Sequence, residues 1–192
     1  MSTAEKRFIS PQEYLTLERA SEIRHEYYNG EMFAMSGASR AHNLVALNIA
    51  RSLMEQFEKR DCEAYMADMR VKVDKKGLYT YPDVVTACSP EFEDDEFDTL
   101  INPRVIIEVL SKSTEGYDRG TKFEMYRRLP TLQDYVLVSQ DKMHVEQFQR
   151  QPDGRWILEE FDSLERTLAF ETSNCTLQLA DIYAKVQFSN QS

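Results

Sequence analysis

The sequence predicts an α/β fold, in which a mixed β-sheet is flanked by helices and preceded by an N-terminal β-hairpin. Three observations favour this fold: a two-residue Asn29-Gly30 turn between strand-like segments, several short apolar strands in the middle of the chain, and helical segments with one apolar face. A helix between two strands favours parallel pairing, and a hairpin requires antiparallel pairing. We therefore expect a sheet that contains both.

The first elements are marked by local signals. Ser10-Pro11-Gln12-Glu13 predicts a short helix, because Ser10 can cap it, Pro11 suits its first position and Glu13 completes a capping box. Residues 24–28 and 31–35 flank the Asn29-Gly30 turn and should form the hairpin. A long helix is expected over residues 40–60, since apolar residues there recur at helical spacing.

Strands dominate the rest of the chain. We expect strands at residues 69–73 (half-buried), 79–88, 104–110 and 135–138, a helix at 118–129 that ends before Pro130, a hairpin from 143–150 and 155–161, and a short terminal element near residue 183. The acidic segment 91–98 is expected to be a solvated loop.

The composition indicates one domain over residues 1–192, because 42% of the residues are hydrophobic and there are only six glycines and six prolines. No run of 18 uncharged apolar residues occurs, so no membrane span is expected. Residues 1–10 are charged and lack an apolar stretch, so we expect no signal peptide. The cysteines, Cys62, Cys88 and Cys175, are odd in number and widely spaced, which is typical of a cytoplasmic protein and predicts neither a disulfide framework nor a zinc site.

The net charge of −10, from 33 acidic and 23 basic residues, argues against broad, unassisted binding to a polyanion. It does not exclude a nuclease, because a bound metal ion and a local basic surface can offset the charge where the substrate binds.

Two carboxylates stand out from their apolar surroundings. Asp83 follows Pro82 at the head of an apolar strand, and Glu108 lies inside another. A carboxylate in such a strand requires a cation, hydrogen bonds or a shifted pKa. If Asp83 and Glu108 converge, they form a hard-oxygen site suited to Mg²⁺ or Mn²⁺. The alternative is that Asp83 is a turn residue and Glu108 pairs with an arginine.

Lys122 lies on the apolar face of the helix that follows Glu108. That face is formed by Met125, Tyr126 and Leu129, and it extends back to Lys122 and Asp118. A lysine that faces a sheet is costly unless an anion meets it, and Glu108 is the candidate partner. The alternative is that Lys122 reaches out to solvent along the helix surface.

These residues belong to a longer series of motifs that resembles the Uma-type family of restriction-endonuclease-like proteins, within the PD-(D/E)XK nuclease superfamily. The resemblance covers nearly the whole chain. It comprises Arg24-His25-Glu26-Tyr27, Asn29-Gly30-Glu31, Ser36-Gly37-Ala38, His42-Asn43, Tyr81-Pro82-Asp83-Val84-Val85, Ile107-Glu108-Val109-Leu110-Ser111, Ser113-Thr114, Asp118-Arg119, Lys122 and Asp134-Tyr135-Val136-Leu137-Val138.

The resemblance implies a restriction-endonuclease-like fold in which Asp83 and Glu108 hold the metal and a lysine completes the catalytic set. The superfamily places that lysine two residues after the glutamate, where this chain has Leu110. In the Uma-type family the lysine is thought to lie on the following helix, which matches Lys122, and Lys112 is the second candidate. Glu26, His42 and Asp118 are possible accessory residues.

The implied function is a Mg²⁺- or Mn²⁺-dependent endonuclease that hydrolyses DNA phosphodiester bonds as a homodimer. The alternative is a catalytically weak or inactive dimer that keeps the nuclease fold and binds nucleic acid or protein. The acidic composition and Leu110 favour the alternative, whereas the joint presence of Asp83, Glu108 and Lys122 favours the enzyme.

Overall fold

The computed structural model describes residues 7–74, 77–94 and 96–188. Residues 1–6 of the N-terminal segment and Asp95 of the acidic segment, both subjects of the predictions above, lie outside the described residues. The helices are α1 (Pro11–Arg19), α2 (Arg40–Phe57), α3 (Glu115–Tyr117), α4 (Phe123–Tyr126) and α5 (Leu179–Ile182). A π-helical turn (Asp118–Lys122) joins α3 to α4, and a 3₁₀ turn spans Glu171–Ser173.

The strands pair into three sheets. In chain order they are β1 (His25–Tyr28), β2 (Glu31–Ala34), β3 (Cys62–Met66), β4 (Arg70–Lys72), β5 (Tyr79–Thr80), β6 (Val84–Cys88), β7 (Thr99–Leu100), β8 (Val105–Leu110), β9 (Asp134–Ser139), β10 (Val145–Arg150), β11 (Trp156–Phe161), β12 (Thr167–Phe170) and β13 (Cys175–Gln178). The main sheet has the order β11-β10-β9-β8-β6-β3, the second β2-β1-β5-β4-β7, and the third β12-β13. In the main sheet β8 and β9 are parallel and the other pairs antiparallel, which confirms the predicted mixed sheet.

The main sheet separates two apolar cores. Ile107 and Val109 of β8 pack with α2 and α5 on one face, whereas Ile106 and Leu110 pack with α4 on the other. Because side chains alternate along a strand, Glu108 points to the same face as Ile106 and Leu110, toward α4.

The Ser10 cap and the Asn29-Gly30 turn are confirmed, whereas the reciprocal capping-box bond predicted for Glu13 is not among the hydrogen bonds of the described residues. Ser10 Oγ accepts a hydrogen bond from the Glu13 N–H at 3.2 Å, as an N-cap should. The hairpin forms around Asn29 and Gly30, whose φ angles of 50° and 87° are the positive values that a tight hairpin turn requires. The Glu13 side chain pairs with Arg7.

Helix bounds differ from the prediction where local turns compete with the helix. α2 ends at Phe57 instead of residue 60. The helix predicted at 118–129 begins earlier, at Glu115, and ends at Tyr126. Residues 128 and 129 form tighter turns, in which the Leu129 N–H bonds to the Tyr126 carbonyl, and these turns precede Pro130.

The prediction of one strand over residues 79–88 is wrong. β5 and β6 belong to different sheets, and residues 81–83 connect them. Pro82 has no N–H to donate to a neighbouring strand, which explains why the ladder breaks there. The break places Asp83 at the head of β6, beside β8.

The acidic segment is not a freely solvated loop. Asp98 accepts from Arg19 Nε at 2.9 Å and lies 2.6 Å from Arg70 Nη2, and Glu93 pairs with Lys72. In the strand predicted to be half-buried at residues 69–73, Arg70 is only 2% exposed, so its side chain is buried instead of facing solvent. Ion pairs with residues that are distant in the sequence hold the acidic segment against the fold. A local sequence pattern cannot predict them, because the partners are brought together only by folding.

The cysteine prediction is wrong for two of the three residues. Cys62 and Cys88 lie directly opposite each other on β3 and β6 and form a disulfide bond. Their 26-residue separation conceals this proximity because it arises from strand register. Cys175 is a free, buried thiol. No helix in the described part of the chain is both long and apolar enough to cross a membrane.

Asp134, at the start of β9, should make stability depend on pH. It is 3% exposed, and burial raises the pKa of its carboxyl to about 6 despite a hydrogen bond from Gln147. Protonation therefore favours the folded state. This contribution is complete below the unfolded-state pKa of 3.8 and is lost as the pH rises through about 6.

We expect the free energy of unfolding of Asp134→Asn, measured relative to the wild type, to increase by up to about 3 kcal/mol as the pH rises from 4 to 7. Urea denaturation at both pH values checks this, with Asp162→Asn as an exposed control. A constant difference between Asp134→Asn and the wild type across this range would contradict the prediction.

Candidate functional site

A cavity of about 450 Å³ opens beside the end of the main sheet where β6 begins and β8 ends. Its walls come from the β1–β2 hairpin, the start of α2, strands β6 and β8 with their flanking residues, and the helical segment after β8. The titratable acidic and basic side chains that line it are Glu26, His42, Asp83, Glu108, Asp118 and Lys122.

Asp83 and Glu108 lie next to each other because β6 and β8 are antiparallel, with Val84 opposite Ile107. The Asp83 N–H donates to Glu108 Oε2 across a long 3.4 Å, and Asp83 Oδ2 accepts from the Val109 N–H at 2.7 Å. The backbone of β8 therefore orients the Asp83 carboxylate toward the cavity edge.

Lys122 is the cationic centre of the cavity. Its Nζ lies 3.0 Å from Glu108 Oε1, 3.1 Å from Glu26 Oε1 and 3.6 Å from Asp118 Oδ1. The residue is only 7% exposed, so it does not reach out to solvent. Glu108 thus pairs with a lysine, and the alternative of an arginine partner is wrong. The Glu26 contact is electrostatic, because its Oε1 has no well-aligned hydrogen bond within the described residues.

Tyr126 also binds Glu108. Its hydroxyl lies 3.0 Å from Glu108 Oε1 and 3.0 Å from Thr80 Oγ1. A hydroxyl carries one proton, so Thr80 donates to the tyrosine oxygen while Tyr126 donates to the carboxylate. Sequence reasoning places Tyr126 on the packing stripe and does not identify this role. The signal available was its position four residues after Lys122, on the same helix face.

Burial and crowding perturb the charged groups. Burial, together with the charges of Asp83, Asp118 and Glu26, raises the pKa of the Glu108 carboxyl, and the Lys122 ammonium opposes this shift. Burial also raises the pKa of Asp118. For Lys122, burial disfavours the charge, but Glu108 and the neighbouring acidic groups outweigh it and raise the pKa. The ammonium is thus held charged among carboxylates that compete for it.

Of the four remaining candidates from the sequence, three line the cavity and one does not. His42, in the first turn of α2, lies near Asp83, with Nε2 3.2 Å from Asp83 Oδ2. Glu26 on β1 and Asp118 in the π-helical turn both face Lys122. Lys112 is exposed after the end of β8 and does not line the cavity.

A divalent cation fits the donor chemistry at Asp83 and Glu108. Carboxylate oxygens are the ligands that Mg²⁺ and Mn²⁺ prefer, and Mg²⁺ is commonly held by one or two carboxylates, with water and substrate phosphate completing its coordination. Four acidic side chains around one lysine leave an excess of negative charge that a cation would offset. Within residues 7–74, 77–94 and 96–188, no three His, Cys, Asp or Glu side chains form a group arranged to hold a metal. Asp83 and Glu108 thus offer a cation two neighbouring carboxylates and no third protein ligand among the described residues.

The fold defines the class of the protein as a restriction-endonuclease-like α/β protein. A crystal structure described as that of a putative nuclease belonging to DUF820, from Anabaena variabilis, matches the fold with a TM-score of 0.74, covering 93% of this chain and 99% of that one at 18% identity. The Uma2 model, described as "putative restriction endonuclease", matches residues 11–180. The chain belongs to that family.

Two proteins from Synechocystis are similar to most of this chain. The protein slr1290 is 35% identical over 159 residues, which cover 82% of this chain and 83% of the relative. The protein sll1609 is 37% identical over 161 residues, which cover 83% of this chain and 91% of the relative. Both are described as uncharacterized.

Proposed function

We propose that this protein is a metal-dependent endonuclease that hydrolyses DNA phosphodiester bonds. The observation that carries the proposal is the meeting of Asp83, Glu108 and Lys122 at one cavity, from two neighbouring strands and the helical segment after them. The nuclease-like family and fold support the same function. Asp83 and Glu108 would hold Mg²⁺ or Mn²⁺.

Each residue has a task in the proposed reaction. A bound Mg²⁺ or Mn²⁺ supplies polarisation of the scissile phosphate and a lower pKa for the attacking water. Lys122 places a fixed positive charge where negative charge develops on the phosphate. Tyr126 and Lys122 both bind Oε1 of Glu108, which leaves Oε2 as the oxygen directed toward Asp83. Glu26 and Asp118 keep Lys122 protonated and in place.

A second candidate function is a catalytically weak dimer that binds nucleic acid or protein. The observation that favours it is the state of Lys122, whose ammonium already contacts three carboxylates and must exchange some of these contacts to meet a phosphate. Leu110, which is buried in the core, occupies the position of the usual superfamily lysine. The homodimer stays a prediction, which light scattering of the purified protein tests.

A nicking assay tests the enzyme. With Mn²⁺, the wild type should convert supercoiled plasmid to the open-circular form, and Asp83→Asn and Glu108→Gln should each lower the rate at least about 100-fold, as losses of transition-state stabilisation do. Both variants keep the side-chain volume, and retention of their thermal transitions excludes unfolding. Equal nicking by wild type and variants would assign the activity to a contaminant and reject the proposal.

The same assay identifies the lysine. Lys122→Ala should abolish nicking and Lys112→Ala should leave the rate within about twofold, because Lys112 lies outside the cavity lining. Activity that survives in Lys122→Ala and disappears in Lys112→Ala would assign the catalytic role to Lys112.

A further inference from the structure

The rim of the cavity carries two aromatic rings that the proposed chemistry does not use. Phe33 on β2 is 48% exposed and Tyr117 on α3 is 39% exposed, and both line the cavity. Neither ring packs against another aromatic ring among the residues that the structure describes. By contrast, the exposed ring of Phe97 packs on Phe92 with centroids 5.4 Å apart.

The rings of Phe33 and Tyr117 lie on the β1–β2 hairpin and on α3, each of which places a residue near Lys122. Phe33 is the cross-strand partner of Glu26, so the two side chains share one face of the hairpin, and Glu26 contacts Lys122 at 3.1 Å. The Tyr117 ring centroid lies 5.9 Å from Lys122 Nζ. Two separate elements therefore each contribute an aromatic ring to the lining of the cavity that holds Lys122.

The charges of the cavity disfavour a duplex that is bound along its backbone. Among the lining residues that the structure describes, Lys122 is the lone lysine or arginine, against four acidic side chains. Duplex binding without unpairing relies on several lysine or arginine contacts to phosphates. Base stacking on aromatic rings is the other main source of affinity for nucleic acid, and it requires unpaired bases whose faces are accessible.

From these observations we infer that Phe33 and Tyr117 form a stacking site for the bases of an unpaired nucleotide segment. The substrate class is thus single-stranded or locally unpaired DNA, with one phosphate directed to Asp83, Glu108 and Lys122. The cavity volume of about 450 Å³ lies within the range of roughly 300–1,000 Å³ typical of pockets for small ligands. This inference rests on the proposed endonuclease function, whose site it extends.

Fluorescence anisotropy tests the inference directly. The probe is a labelled single-stranded oligodeoxynucleotide, compared with the same strand annealed to its complement, in Ca²⁺ and with probe integrity checked on a gel. The single strand should bind at least about tenfold more tightly. Phe33→Ala and Tyr117→Ala should each weaken its binding by roughly 5- to 150-fold, the range for loss of one base–aromatic stack.

Matched variants separate stacking from general damage. Phe33→Tyr and Tyr117→Phe should bind like the wild type, because a flat ring remains. Tyr28→Ala should also bind normally, since Tyr28 is an exposed aromatic residue of the same hairpin that does not line the cavity. Equal affinity for duplex and single strand, unchanged binding by both alanine variants, or an equal loss in Tyr28→Ala would each overturn the inference.

The outcome is distinguishable from failure of the endonuclease proposal. If Mn²⁺-dependent nicking depends on Asp83 and Glu108 but Phe33→Ala and Tyr117→Ala bind the single strand normally, the stacking site is rejected and the enzyme stands. If the wild type does not nick plasmid while strand preference and the losses at Phe33 and Tyr117 hold, the enzyme is rejected and the stacking site stands.

Discussion

Lys122→Met should lower the free energy of unfolding by about 3–5 kcal/mol, the cost of leaving buried charge without its partner. The lysine is 7% exposed and contacts Glu108, Glu26 and Asp118. Methionine keeps much of the apolar stem and removes the charge, so the loss reports electrostatics more than packing. Urea denaturation at pH 7 measures the change.

Two control variants make this result specific. Lys112→Met removes an exposed lysine ten residues earlier in the chain and should change stability by less than about 0.5 kcal/mol. The double variant Lys122→Met with Glu108→Gln should recover a large part of the loss, because it removes the carboxylate left unpaired. A loss below about 1 kcal/mol in Lys122→Met would show that Lys122 does not stabilise the carboxylate cluster.

Mn²⁺ should raise the melting temperature of the wild type by roughly 5–10 °C when its concentration is about 100 times the dissociation constant. The reason is that the ion binds the folded site and not the unfolded chain, where Asp83 and Glu108 are far apart. Differential scanning fluorimetry with and without Mn²⁺ measures the shift.

The shift should disappear in the double variant Asp83→Asn with Glu108→Gln and persist in Glu124→Gln. Glu124 is an exposed acidic residue on α4, directly after the turn that carries Lys122, and it does not line the cavity, so its variant controls for the loss of a surface charge. The comparison is made between shifts, since removing buried carboxylates alters the melting temperature by itself. Equal shifts in all three proteins would place the bound ion elsewhere.

Much of the fold is predictable because local chemistry specifies it. The Ser10 cap, the Asn29-Gly30 turn and the apolar β8 strand follow from backbone and burial preferences that act over a few residues. The misjudged features depend on distant partners. The Cys62–Cys88 bond needs the β3–β6 register, and the burial of Arg70 needs Asp98.

The candidate site follows the same division. A carboxylate in an apolar strand and a lysine on an apolar helix face identify Glu108 and Lys122 in the sequence, because each is costly without a partner. By composition Thr80 and Tyr126 both fit an ordinary core, so the contacts of Tyr126 with Glu108 Oε1 and with Thr80 are not evident from the residue types. The one local signal for Tyr126 is its position four residues after Lys122. Strand alternation alone does not exclude Lys112. The end of β8 at Leu110 removes it from the strand.

The π-helical turn at Asp118–Lys122 joins α3 to α4 and determines how the side chains of α3 are rotated about the helix axis relative to those of α4. In a π turn each backbone hydrogen bond joins residues five apart, one residue more than in an α-helix. Deleting one residue, such as the exposed Gly120, would restore regular pitch and rotate the upstream half by about one residue, or roughly 100°. Asp118 and Tyr117 would then leave the cavity while Tyr126 kept its place. The irregular turn is therefore what allows side chains before it and after it to face the same cavity.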